Sequence, residues 1–198
     1  LQLIALHNDN DTINYSYDNS GRLSKRIFSN GIQSTYHYNG LGRLTDFVIN
    51  SDDISERYIY EYDKSGNKIS TRKDNLLTNE VEQTNYEYDG LNRLIKVMSS
   101  EQLLREYKYD AFGNRSQKID YSNLNVIDTT YKYNPNNQLV SEITNGRETR
   151  YQYDKRGNIK SVYFGDNLTN QYTYDATNML SKVLSIQGNT SKVSSYEY

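Results

Sequence analysis

Nine Tyr-x-Tyr pairs punctuate this chain at nearly even intervals, and no other feature restricts its fold so strongly. They are Tyr15/Tyr17, Tyr36/Tyr38, Tyr60/Tyr62, Tyr86/Tyr88, Tyr107/Tyr109, Tyr131/Tyr133, Tyr151/Tyr153, Tyr172/Tyr174 and Tyr196/Tyr198. Eighteen of the 21 tyrosines lie in these pairs. Successive second tyrosines are 21, 24, 26, 21, 24, 20, 21 and 24 residues apart. A unit of about 23 residues with one variable part is the signature of a repeat architecture, in which each unit buries its apolar surface on its neighbours.

The residues after each pair are as regular as the pair itself. Asp or Asn comes next in eight copies: Asp18, Asn39, Asp63, Asp89, Asp110, Asn134, Asp154 and Asp175. Three residues on stands Gly21, Gly42, Gly66, Asn92, Gly113, Asn137, Gly157 or Asn178. Gly and Asn are the residues that tolerate positive φ, and an Asx side chain opening a turn can accept backbone N–H groups further on. The spacing predicts a short hairpin turn closed by a left-handed residue, with a bulge beside it.

Tyrosines two apart share one face of a strand. After the turn comes a basic or amide residue, then aliphatic residues often three apart, as in Leu44 to Phe47, Leu94 to Val97, Ile159 to Val162 and Leu180 to Val183. That spacing is off the strand period of two, and the predicted bulge accounts for the extra residue. The second turn of each unit varies. Asn30-Gly31 and Asn145-Gly146 read as two-residue hairpins, whereas "NSDD", "GDNLT" and "QGNT" read as longer turns. Only "DNLLTNEVEQTN" tempts a helical reading. The expected fold is all-β: an antiparallel β-hairpin meander of about sixteen short strands. A strip that long curls into a spiral or partial shell, since open sheets beyond about ten strands rarely stay flat.

Motifs such as "YSYDNSGRL", "YHYNGLGRL", "YEYDGLNRL" and "YKYDAFGNR" resemble YD repeats, the unit of bacterial Rhs proteins, wall-associated proteins, insecticidal Tc toxin B/C components and animal teneurins. The resemblance runs from Tyr15 onward. It implies a β-strip wound into a hollow shell, commonly around a C-terminal toxin, in an exported or surface protein.

Other function classes find little support. Net charge is −2, with 23 basic residues spread along the chain against 25 acidic ones, so a nucleic-acid footprint is absent. No apolar run reaches the ~20 residues of a spanning helix, and there is no signal-peptide pattern. There is no Cys for disulfides or thiol chemistry. His7 and His37 lack metal-ligand spacing, and His37 fills the variable place within a tyrosine pair. The turn carboxylates recur once per unit, which marks them as turn caps and not as an acid–base pair. Asp52, Asp53 and Asp166 lack the spaced oxygen ligands of a Ca²⁺ loop.

Residues 1–198 therefore read as a single array of about eight repeats plus the start of a ninth, cut from a longer polypeptide. The expected role is non-enzymatic and structural, with no cofactor and no metal. Its partners are the rest of the same polypeptide, including a C-terminal toxin, and further copies through the sheet edges at Leu3–Ala5 or Val193–Tyr198. The alternative is an adhesion module that stacks exposed tyrosines on glycan rings, although such modules usually carry Trp and this chain has none.

Overall fold

The computed structural model describes residues 2–8, 11–122 and 124–198. Every strand is antiparallel to its sequence neighbours, and no helix occurs among the described residues. Contacts divide the chain into two compact units, 1–104 and 105–198. The first holds β1 (Ala5–His7), β2 (Thr12–Tyr17), β3 (Leu23–Phe28), β4 (Gln33–Tyr38), β5 (Leu44–Asn50), β6 (Ser55–Tyr62), β7 (Lys68–Asn75), β8 (Val81–Tyr88), β9 (Leu94–Ser99) and the first residues of β10 (Gln102–Tyr109). The second holds the rest of β10, then β11 (Arg115–Asp120), β12 (Ile127–Tyr133), β13 (Leu139–Thr144), β14 (Arg147–Tyr153), β15 (Ile159–Phe164), β16 (Asn167–Tyr174), β17 (Leu180–Gln187) and β18 (Thr190–Ser195). The eighteen strands among the described residues exceed the expected sixteen because the N-terminal segment and residues 190–195 also pair. In that N-terminal "LQLIALH" segment, Leu1 lies outside the described residues.

The repeated turn has one geometry in all eight copies. The N–H of the Asp or Asn donates to the carbonyl four residues on at 2.8–3.0 Å, and the closing Gly or Asn N–H donates back at 2.9–3.2 Å. Closing residues have φ from +58° at Asn137 to +98° at Gly66. The Asx Oδ1 accepts the N–H four residues on at 2.8–3.0 Å in every copy. A side chain thus does at each turn what a ladder partner would do in a strand.

The bulge sits where the aliphatic spacing placed it. Leu44 stands opposite Tyr38 and Phe47 opposite Tyr36, with Thr45 as the extra residue. The same offset sets Leu94 and Val97 against Tyr88 and Tyr86, and Ile159 and Val162 against Tyr153 and Tyr151. One face of each of these three hairpins therefore carries both tyrosines and both apolar partners.

Three variable turns differ from the sequence expectation. Asn30-Gly31 is not a two-residue hairpin: Gly31 alone has positive φ, and Phe28 N–H donates to Ile32 O at 2.8 Å around a three-residue loop. A two-residue loop there would pair Ser29 with Ile32, slip the register by one and turn Tyr36 and Tyr38 to the other face. "GDNLT" and "QGNT" prove shorter than expected, with Phe164 paired to Asn167 and Gln187 to Thr190. Gly165 and Gly188, both at φ +57°, supply the first central residue of a type II′ turn. Asn145-Gly146 is a two-residue loop with both φ positive, and "DNLLTNEVEQTN" is strand, turn and strand.

Burial is shallow throughout. Val97 is the one buried large hydrophobic residue among those described, and the other buried residues are Ser34, Ser70, Asp120, Thr129, Ser141 and Ser161. Stability cannot come from a deep apolar core, and it falls to cross-strand pairs and bonds between neighbouring repeats.

Candidate functional site

Within each unit, two sets of side chains join neighbouring repeats, and together they form a seam along its turn edge. The first set consists of second tyrosines of the pairs. Tyr38 donates its hydroxyl to Leu23 O at 2.9 Å, Tyr62 to Leu44 O at 2.7 Å and Tyr88 to Lys68 O at 2.8 Å. Tyr17 does the same to Leu3 O, and in the second unit Tyr133, Tyr153 and Tyr174 reach Arg115 O, Leu139 O and Ile159 O.

The reason lies in the ladders. Pairing of β3 with β4 begins at Lys25, and pairing of β5 with β6 begins at Asp46. The bulge residues Leu23 and Leu44 thus have no partner on that side, and their carbonyls would be left unsatisfied. The phenol supplies the missing donor. Burial raises the pKa of Tyr38, Tyr88, Tyr153 and Tyr174, so they remain protonated donors at neutral pH.

The second set is the residue after the closing position, which bridges its own turn to the next. Arg22 Nε donates to Asp18 Oδ2 at 2.7 Å while its Nη1 donates to Asn39 O at 3.2 Å. Arg43 Nη1 donates to Asp63 O at 3.0 Å. Asn67 Nδ2 donates to Asp63 Oδ2 and to Asn92 Oδ1, both at 2.8 Å. In the second unit Asn114 reaches Asn137 Oδ1, Gln138 reaches Gly157 O and Asn158 reaches Asn178 Oδ1. Hydrogen bonds from the side chains of Asn67, Arg93 and Asn158 hold the carboxyls of Asp63, Asp89 and Asp154 below the usual carboxylate range, and a hydrogen bond from Thr177 does the same for Asp175.

The first tyrosines lie on the same face beside cations. Lys68 Nζ sits 5.3 Å from the Tyr60 ring and 5.4 Å from Tyr86, so it bridges two repeats. Arg115 lies 5.2 Å from Tyr107 and 5.8 Å from Tyr131. Tyr36, Phe47 and Tyr58 form an aromatic run with centroids 5.0 and 5.7 Å apart. Desolvation, with a hydrogen bond to Glu142, pushes the Tyr151 phenol up to about 12.

The histidines and the acidic loop residue have purely local surroundings. His7 Nδ1 is 3.0 Å from Thr12 Oγ1, and His37 is exposed opposite Asp46 in the register. Asp166 takes an N–H from Arg150 at 3.0 Å. Among the described residues no group of three His, Asp or Glu is placed to hold a metal ion. The tyrosines and turn carboxylates were prominent in the sequence. The bridging residues Arg22, Arg43, Asn67, Asn114, Gln138 and Asn158 were visible only as a polar position, because their partners lie 17–25 residues away. At the C-terminal end β18 stops at Ser195, and Tyr196 and Tyr198 are exposed.

Comparison with known proteins falls on the same motif. The RHS Repeat family matches residues 133–167, a stretch that opens on Tyr133 and its Asn134 turn and includes the Tyr151/Tyr153 pair with its Asp154 turn. The chain is 27% identical over 220 residues to the tRNA3(Ser)-specific nuclease WapA of Bacillus spizizenii, and 28% identical over 220 residues to the tRNA nuclease WapA of Bacillus subtilis. Each alignment takes in 97% of this chain and 9% of the relative, so the chain spans about a tenth of their length. Among solved structures, the TcdB2-TccC3-Cdc42 complex covers 88% of this chain and 13% of its own at 16% identity and TM-score 0.41. The Photorhabdus luminescens Tc holotoxin pore covers the same shares at 15% identity and TM-score 0.43. The paired tyrosines and Asx turns of residues 133–167 are thus those of the RHS Repeat family, and the same motif recurs along the rest of this chain.

Proposed function

We propose that the segment is a non-enzymatic part of the wall of a large exported or cell-surface Rhs-type protein, and that this wall encloses or presents a cargo borne elsewhere on the same polypeptide. The observation that carries the reading is the seam, in which second-tyrosine hydroxyls and turn carboxylates already bind backbone groups of their own or the adjacent repeat. Groups engaged in this way hold a wall together and are not free to act as acids, bases or nucleophiles. The relatives named as nucleases are about ten times longer than the aligned stretch, which leaves room for activity outside the repeats.

The same bonds weigh against the adhesion reading, since a sugar-stacking site needs open aromatic faces and free polar groups, whereas these phenols donate internally and several rings carry a cation. Limited proteolysis of the parent polypeptide tests the proposal. The cargo region is expected to resist protease in the native protein and to become cleavable when Tyr38, Tyr62 and Tyr88 are changed to Ala. A cargo cleaved equally in both forms, or strong cell-wall binding by the repeat segment that those substitutions abolish, overturns it.

A further inference from the structure

The seam contains two kinds of lock, and the kind at each junction is set by two residues about twenty apart. Where the closing residue of a turn is glycine, as at Gly21, Gly42, Gly66 and Gly157, the bridging residue one repeat earlier is long: Gln2, Arg22, Arg43 and Gln138 respectively. Where the closing residue is asparagine, as at Asn92, Asn137 and Asn178, the earlier bridging residue is asparagine as well. Arg93 and Gly113 keep to the same rule in the sequence.

Geometry explains the match. A long side chain passes over the closing glycine to reach a backbone carbonyl of the next turn, as Arg43 does to Asp63 O at 3.0 Å. A Cβ added at Gly66 would lie 2.8 Å from an Arg43 terminal nitrogen and 3.1 Å from its Cζ, and at Gly21 it would lie 3.0 Å from Gln2 Nε2. A side chain at either position forces the end of the long partner away from the place where it makes its bond. The fit is looser at Gly157, 3.2 Å from Gln138 Nε2, and at Gly42, 3.7 Å from an Arg22 terminal nitrogen. Asparagine is too short to reach that carbonyl, and it meets instead the side-chain carbonyl of a closing asparagine, as in Asn67 Nδ2 to Asn92 Oδ1 at 2.8 Å. Gly31, Gly146, Gly165 and Gly188, which lie in the variable turns, have nothing within 4 Å of an added Cβ, and among the closing glycines the same holds for Gly113.

We propose that these two pairings, long-side-chain with glycine and asparagine with asparagine, form a recognition code by which each repeat accepts its correct neighbour in this chain and disfavours a neighbour of the other type. The code selects by a clash or by a missing bond, two ways in which an interface disfavours a wrong partner. It does not depend on whether the wall encloses anything.

A double-mutant cycle at one junction tests it. In the full chain, Asn67→Arg, Asn92→Gly and the two together are compared by native-state hydrogen exchange of the β7 and β8 amides. Each single substitution is expected to raise the local opening constant about fivefold, the loss of roughly one hydrogen bond. The double variant is expected within about twofold of the native chain, because it rebuilds the Arg43–Gly66 type of lock. An opening constant for the double variant equal to the product of the singles overturns the code. Should Asn67→Arg prevent folding, the reverse exchange Arg43→Asn with Gly66→Asn decides: rescue by the second substitution supports the code, and its absence refutes it.

Discussion

Truncating Tyr60 and Tyr62 together to alanine is expected to cost about 5 kcal/mol or more and to melt the first unit from the middle outward. Large aromatic truncations at well-packed sites cost about 3–5 kcal/mol each, and these rings are only half-buried, so the lower part of that range applies. Three separate losses contribute. Tyr62 takes with it the donor to Leu44 O at 2.7 Å and the ring 5.7 Å from the Arg43 guanidinium. Tyr60 removes one side of the slot that holds Lys68 at 5.3 Å. Leu44 O is then an orphaned acceptor, which by itself costs about 1–3 kcal/mol where water cannot replace the phenol. A junction lost in a repeat array also deprives both neighbours of their interface. For comparison, Asn145→Ala in a variable turn is expected to cost about 1–2 kcal/mol. That exceeds what a free loop would lose, because Asn145 Oδ1 accepts Asp128 N–H at 2.9 Å and its φ is +49°. Urea unfolding of the three chains separates these outcomes.

Alkaline pH is expected to unfold the chain cooperatively, starting above pH ~10. Tyr38, Tyr60, Tyr88, Tyr133, Tyr153 and Tyr174 all have raised pKa values with burial as the leading cause, and Tyr151 reaches about 12. A phenol whose pKa rises on folding holds its proton more tightly folded than unfolded. Its stabilisation is complete below the unfolded value and is lost as pH climbs through the folded one. The turn carboxylates work in the opposite direction: Asp18, Asp63, Asp89, Asp110, Asp154 and Asp175 are lowered, so their contribution is present above the usual carboxylate value and is lost as pH falls below it. Stability should therefore be flat across neutral pH and fall at both extremes. Phenolate absorbance and circular dichroism should change together at the alkaline end. Phenolate appearing near pH 10 with the sheet intact would mean that these hydroxyls are not engaged.

The turns and the tyrosine face were legible because they rest on local chemistry. Asp18 and Gly21 belong to one turn, and the three-residue step from Leu44 to Phe47 is the direct trace of the bulge opposite Tyr38. The variable loops were harder to read, since loop length there is decided by which face the next tyrosines must occupy. Asn30-Gly31 has the sequence of a two-residue turn, yet it closes a three-residue loop that keeps Tyr36 and Tyr38 on the shared face. The seam was least visible. The carbonyls of Leu23 and Leu139 carry no sequence signal, and a reader of side chains alone has no reason to connect Tyr153 with a backbone oxygen fourteen residues earlier. The helical temptation at "DNLLTNEVEQTN" fails for the converse reason: Asn75 Oδ1 accepts the N–H groups of Leu77 and Thr78 in a turn, and this competes with a helical backbone.

Within each unit, second tyrosines join neighbouring repeats through their hydroxyls. Removal of one such oxygen tests this most directly. Tyr62→Phe and Tyr88→Phe keep the ring and delete only the donors to Leu44 O and Lys68 O. Each is expected to cost about 1–2 kcal/mol in denaturant unfolding, and to speed exchange at the junction it spans while leaving the other junctions unchanged. Phe substitutions that leave stability and exchange as they were would show that the hydroxyls hold nothing together, and would contradict the account.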